Sequence, residues 1–128
     1  MKALFILYVR DQEASTRFYA TVLDQEPTLY VPGMTEFTLL DNSKLGLMPV
    51  SGIKRLLSDL PDPEKAAGVP RSEVYLTVPN ATEYHRRALA AGATELSGLS
   101  KRSWGDLVAY SLDPDGHVLA FAEDVQPA

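Results

Sequence analysis

Apolar and polar positions along the chain predict the same series of elements twice. In the first half, the apolar run from Ala3 to Arg10 predicts a buried strand, and Ala14, Phe18 and Val22, at every fourth position, predict one face of a helix. Three further strands are predicted at residues 28–31, 36–40 and 44–50. The first half is therefore predicted to be a βαβββ unit.

The second half repeats this order. Asn80, like Asp11 in the first half, stands where a helix N-cap is expected, and Gly92 suits the position just after the helix, where a positive φ is needed. Strands are predicted at residues 73–78, 93–96, 105–112 and 118–123, with a polar loop at 98–103. We predict an α+β fold in which residues 1–128 form a single domain, made of modules 1–50 and 72–124 joined by a linker, 51–71.

Strand alternation divides the predicted faces. Val74, Leu76 and Val78 should face the second helix, which leaves Glu73, Tyr75 and Thr77 on the opposite face of the sheet. By the same alternation Leu4, Ile6 and Tyr8 share a face in the first half, and Ala120 faces away from the helix in the last strand.

The stretch Asp113-Pro114-Asp115-Gly116-His117 between two apolar strands predicts a tight hairpin turn, in which the two aspartates serve the turn itself. This stretch resembles the last hairpin of the vicinal oxygen chelate superfamily, which includes glyoxalase I, extradiol dioxygenases and bleomycin-resistance proteins. Tyr8-Val9-Arg10-Asp11, followed by Phe18-Tyr19, is similar to the start of that family. The resemblance implies a cupped mixed sheet whose concave face holds a ligand.

The resemblance also places the family's metal ligands. The corresponding positions here are Leu4, Glu73 and Ala120, with a further one near Leu47. A catalytic divalent ion typically needs about three protein ligands, and alkyl side chains offer none. We therefore predict no metal and no cofactor, and assign no catalytic residue.

Aromatic residues lie on or near the predicted concave face. The candidate ligand-binding residues are Glu73, Tyr8, Tyr75, Trp104, Tyr110, Leu4 and Ala120. Aromatic rings with one carboxylate suit a flat or cationic organic molecule. The alternatives are that the aromatics fill the core or a dimer contact, and that Glu73 is a solvated strand-end residue.

The composition of the chain argues against two classes of partner, nucleic acids and membranes. A net charge of -5 disfavours a phosphate-binding surface, so we expect no nucleic acid, and the basic pairs, Lys101-Arg102 among them, are interpreted as solvated. The chain has no cysteine, which excludes disulfides and thiolate metal sites. No apolar run is near the roughly 20 residues that span a membrane, so we expect a cytoplasmic protein without a membrane partner. His85 and His117 are interpreted as surface histidines.

These observations predict a metal-free protein of the bleomycin-resistance type that binds a small organic molecule and acts as a homodimer. The alternative is a lyase, isomerase or dioxygenase of the same superfamily with an atypical active site. A structural alternative is a ferredoxin-like interaction domain, which would have four strands where the repeat predicts eight.

Overall fold

The computed structural model describes residues 1–66 and 68–124, and the chain divides into two compact units after residue 67. Each unit contains one four-stranded mixed sheet. The eight strands confirm the predicted α+β fold of two βαβββ repeats and exclude the ferredoxin-like alternative. In the described residues no helix is long and apolar enough to cross a membrane.

Unit 1 begins with strand, helix and three strands. Its elements are β1 (Ala3–Val9), α1 (Gln12–Leu23), β2 (Leu29–Val31), β3 (Met34–Leu40), β4 (Ser43–Pro49), α2 (Val50–Leu56) and a 3₁₀ turn (Pro63–Ala66). The strand order is β1-β4-β3-β2, with β1 parallel to β4 and the other pairs antiparallel. The predicted linker therefore begins as helix, in which α2 buries Val50 and Ile53.

The core of unit 1 lies between α1 and one sheet face. Val9, Phe37 and Leu45 on the sheet and Phe18 and Val22 on the helix are all buried. Removing this apolar area from water is the main force that holds the helix on the sheet.

Side-chain hydrogen bonds fix the start of α1. The Asp11 carboxylate accepts a hydrogen bond from the Ala14 amide at 3.0 Å, as predicted for an N-cap. Gln12 donates through Nε2 to the Val31 carbonyl at 2.8 Å and accepts at Oε1 from the Gly33 amide at 2.9 Å. These bonds tie the helix to the β2–β3 hairpin.

Unit 2 repeats the order without the extra helical turns. Its elements are β5 (Glu73–Thr77), α3 (Ala81–Ala90), β6 (Thr94–Lys101), β7 (Leu107–Leu112) and β8 (Val118–Glu123). The strand order is β5-β8-β7-β6, and β5 runs parallel to β8. The core again lies between helix and sheet, where the rings of Tyr84 and Phe121 have centroids 5.5 Å apart.

The turn of the β7–β8 hairpin is stabilised by hydrogen bonds to the side chain of Asp113. The buried Asp113 carboxylate accepts from the amides of Asp115 at 2.9 Å and His117 at 2.8 Å, while Gly116 takes a φ of 88°. These bonds satisfy turn amides that the strands leave unpaired, so Asp113 serves the turn, as predicted.

Two local predictions are wrong. The predicted loop at 98–103 belongs largely to β6, which runs to Lys101 and pairs with β7 through two register shifts. His85 is buried rather than exposed, because its Nε2 lies 2.9 Å from Glu95 Oε2 on the neighbouring strand. Both errors involve β6: residues 98–101 belong to it, and His85 of α3 contacts it through Glu95.

Candidate functional site

The sheet face of unit 2 opposite α3 brings together several of the predicted site residues. Tyr75 of β5 pairs with Ala120 of β8, which pairs in turn with Tyr110 of β7. Adjacent strands lie about 4.8 Å apart, so the backbones of the two tyrosines are roughly 10 Å apart. Ala120 is fully buried in a cluster with Val108 and Ala122, against which Tyr110 packs. Ala120 is thus a buried residue that lies between the two tyrosines on this face.

Trp104 joins this group from the β6–β7 loop. Its indole Nε1 donates to the Tyr75 hydroxyl at 3.0 Å, and that hydroxyl donates to Asp106 Oδ2 at 2.5 Å. Trp104 is nevertheless 58% exposed and Tyr75 37% exposed. The result is a large aromatic surface that faces solvent and has a fixed orientation. We call Tyr75, Trp104 and Tyr110 the aromatic rim.

Arg102 extends the rim on the Tyr110 side. Its guanidinium carbon lies 5.0 Å from the Tyr110 ring centroid. Its Nη2 donates to Ser97 Oγ at 2.8 Å, to the Gly98 carbonyl at 3.1 Å and to the Val108 carbonyl at 2.8 Å, and its Nε also donates to Val108 at 3.3 Å. The interpretation of this arginine as a solvated surface residue is therefore wrong.

The rim has altered acid–base properties. Burial, followed by its hydrogen bond to Asp106, raises the pKa of Tyr75. Burial also raises the pKa of Tyr110, the negative charge of Glu73 adds to that rise, and Arg102 opposes it. Both hydroxyls therefore keep their protons at neutral pH. The Tyr75 proton is donated to Asp106, so only the Tyr110 hydroxyl can donate to a ligand.

Glu73 opens β5 at one end of this face. It is exposed, and it pairs in register with Val118. Glu73 and Tyr75 are two residues apart on β5, so by strand alternation the carboxylate lies on the same face as the rim. The face carries two carboxylates, those of Glu73 and Asp106, and one guanidinium beside three aromatic rings.

The two other predicted residues belong to unit 1. Leu4 is 39% exposed and Tyr8 is half-buried, on the face of β1 opposite the buried Leu7 and Val9. They belong to unit 1, whereas the three residues of the aromatic rim belong to unit 2.

The first-half counterpart of Ala120 is Gly46 of β4, which pairs with Ile6 of β1. A side chain at Gly46 would meet Ile6 Cγ1 and Leu4 Cδ1, each at 3.1 Å. Gly46 is adjacent to Leu47, near which this position was predicted, and Leu47 itself is buried on the helix side of the sheet.

The residues at the family's metal-ligand positions do not fit a metal. In unit 2 Glu73 offers oxygen but Ala120 is an alkyl group, and in unit 1 Leu4 and Gly46 offer no side-chain donor. Across residues 1–66 and 68–124 no group of three or more His, Cys, Asp or Glu side chains could hold an ion. Lewis-acid chemistry therefore has no side-chain basis at these positions.

Sequence reasoning missed Arg102 and Asp106. Both lie at the β6–β7 junction, and their contacts reach Ser97, Tyr75 and Tyr110 on the strands. A pattern of apolar positions cannot reveal such contacts. The sequence offered one signal: an arginine, a tryptophan and an aspartate lie close together in and just after the loop between two predicted strands, where binding residues are often found.

Comparison with known proteins gives one consistent result. The model of the Glyoxalase/Bleomycin resistance protein/Dioxygenase superfamily matches residues 3–121. An uncharacterized protein of Mycobacterium tuberculosis is 28% identical over 131 residues, which cover 94% of this chain and 72% of that protein.

Solved structures agree with this match. A glyoxalase-related enzyme from Fulvimarina pelagi superposes with a TM-score of 0.80 at 25% identity, covering 97% of this chain and 88% of that one. A glyoxalase/bleomycin resistance protein/dioxygenase family enzyme from Burkholderia phytofirmans gives a TM-score of 0.79 at 17% identity, covering 95% and 97%.

Proposed function

Since the chain belongs to the Glyoxalase/Bleomycin resistance protein/Dioxygenase superfamily, we propose that it is a metal-independent binding protein that holds a flat organic molecule against the aromatic rim. The proposed mechanism is sequestration, in which stacking and apolar contacts retain the ligand and no bond is broken. The alternative within the superfamily is a lyase, isomerase or dioxygenase with an atypical active site.

The observation that carries the proposal is that Trp104 is both exposed and held in a fixed orientation. An indole that is 58% exposed leaves apolar area in water, which is unfavourable unless a ligand or partner covers it. Its hydrogen bond to Tyr75, which is fixed in turn by Asp106, holds the ring in one orientation. A surface that is already ordered loses little entropy on binding, so stacking on it gains affinity.

At the β5 edge, the Glu73 carboxylate should favour a ligand with a cationic group. This carboxylate is exposed, so solvent screens its attraction for a cation, and we expect about 1 kcal/mol of binding free energy from it. We assign it an orienting role toward a cationic group of the ligand.

Isothermal titration calorimetry with 2-naphthylmethanol and 2-naphthylmethylammonium tests the proposal. Both probes should bind with one site per chain, and Trp104→Leu should weaken both by roughly three- to tenfold, the range for one aromatic contact. Leu40→Ala is the control, because Leu40 is 71% exposed on β3, outside both the aromatic rim and the proposed dimer surface, and should leave both affinities unchanged.

The same titrations separate the role of Glu73. Glu73→Gln should weaken the cationic probe about fivefold and leave the alcohol unchanged. Absence of binding by both probes, or binding that ignores Trp104→Leu, would contradict the proposed function.

We also propose that the protein acts as a homodimer. In unit 1, β1 and β2 lie at the two edges of the sheet and carry exposed apolar side chains, with Phe5 64% and Tyr30 52% exposed. Edge strands of this composition are usually covered by another chain or protected by charge. A two-fold symmetric pair is the commonest way to cover such a surface.

A further inference from the structure

We propose that the ligands of the aromatic rim carry an oxyanion, and that the guanidinium of Arg102 binds it. This inference rests on the proposed function, because it names the class of ligand that the same site takes: an aromatic molecule with a carboxylate or a similar planar anionic group.

Arg102 is held in one position before any ligand arrives. Its Nε and Nη2 donate to three acceptors, Ser97 Oγ and the carbonyls of Gly98 and Val108, at 2.8–3.3 Å. The Tyr110 ring lies against the same guanidinium, with its centroid 5.0 Å from the guanidinium carbon. A free arginine loses up to about 2 kcal/mol of rotamer entropy when it is fixed. Here that entropy is lost on folding, so ligand binding does not lose it again.

The charge of this guanidinium is not neutralised. All three of its acceptors are uncharged, and within residues 68–124 no carboxylate forms an ion pair with it. The backbone amide of Arg102 donates to the backbone carbonyl of Asp106. The Asp106 carboxylate accepts from the Tyr75 hydroxyl. The guanidinium therefore keeps its full charge, and its Nη1 makes no hydrogen bond within the described part of unit 2.

An oxyanion is the group that fits this position. A guanidinium binds carboxylates through charge-assisted hydrogen bonds, which are about twice as strong as neutral ones. A ligand stacked on Trp104 and Tyr75 lies on the same sheet face as Tyr110, over which the guanidinium sits. The ring would therefore contact the rim while the anionic group reaches Nη1.

This assignment is compatible with the orienting role of Glu73. Glu73 belongs to β5 and Arg102 follows β6, and these two strands are the opposite edges of the sheet. A cationic group at Glu73 and an oxyanion at Arg102 would thus be two ends of one ligand.

Comparison of two probes on the unaltered protein tests the inference without any variant. By calorimetry, 2-naphthoate should bind roughly ten- to hundredfold more tightly than 2-naphthylmethanol, which has the same rings and no charge. In NMR spectra the Arg102 Nε–H resonance should shift with naphthoate and stay in place with the alcohol.

Two substitutions then assign the effect to Arg102. Arg102→Gln should abolish the preference for naphthoate, while Arg102→Lys should keep only part of it, because an ammonium lacks the planar fork. Lys101→Gln is the matched control: it removes the same charge from the adjacent, exposed position and should leave the preference intact.

Each other outcome overturns the inference. Equal affinity of both probes, with binding still dependent on Trp104, would refute the anionic ligand class and leave the proposed function standing. A preference that survives in folded Arg102→Gln, or an Arg102 resonance that ignores naphthoate, would also refute it. If no probe binds, both the inference and the proposed function fail.

Discussion

Replacing Arg102 by glutamine should destabilise unit 2 even without a ligand. The arginine joins β6 to β7 where their register shifts, between Ser97 and Ser100. There the backbone ladder is interrupted, and the guanidinium supplies bonds to Ser97, Gly98 and Val108 in its place. The substitution removes these bonds and the contact with the Tyr110 ring.

The size of the loss follows from these contacts. Each hydrogen bond contributes about 1 kcal/mol net, and an exposed cation–π contact about 0.5 kcal/mol. The entropy of an ordered arginine offsets up to about 2 kcal/mol of this gain. We therefore expect a net loss of about 2 kcal/mol of unfolding free energy, whereas Lys101→Gln should change it by less than about 0.5 kcal/mol.

Urea denaturation and native-state hydrogen exchange measure this loss. Amides of β7 and β8 that exchange through unfolding of unit 2 should exchange roughly 30-fold faster in Arg102→Gln, which corresponds to about 2 kcal/mol. Arg102→Lys should be almost as unstable, because a compact ammonium lacks the planar fork and does not stack on the Tyr110 ring. A lysine variant as stable as the wild type would refute the role assigned to the planar fork.

Two further predictions concern Tyr75 and assembly. Because the pKa of Tyr75 is raised in the folded state, its stabilising effect is present below the unfolded pKa of about 10 and is lost as pH rises through the folded pKa. The difference in urea stability between wild type and Tyr75→Phe should therefore be constant from about pH 7 to 9 and shrink above about pH 10, and a difference independent of pH would contradict this. Sedimentation equilibrium should give twice the chain mass of 14.0 kDa, and a monomer at micromolar concentration would contradict the homodimer.

The elements that could be predicted from the sequence depend on local chemistry. The side chains of Asp11 and Asn80 accept hydrogen bonds from amides in the first turn of their helices, as predicted for N-caps. Gly92 has the positive φ expected after a helix. Alternation along β5 and β8 separates the helix face from the face of Tyr75 and Ala120. The resemblance of the terminal hairpin identified the family, which the match over residues 3–121 confirms.

The errors arise where a distant contact decides the structure. Residues 97–100 are two serines, a glycine and a leucine, so their low strand propensity favours a loop, but pairing with β7 makes them strand. His85 is polar on a helix, yet its bond to Glu95 of β6 allows it to be buried. Apolar residues occupy both faces of β4, so the pattern did not distinguish Leu47 from Gly46.

The central claim is that the aromatic rim of unit 2 binds a flat organic molecule. The chain has a single tryptophan, so a two-dimensional ¹H–¹⁵N spectrum contains one indole resonance, that of Trp104. Titration with 2-naphthoate should shift this resonance in a saturable way, together with amides of β5, β7 and β8. An indole resonance that stays in place while other residues shift, or a spectrum that does not change at all, would contradict the account.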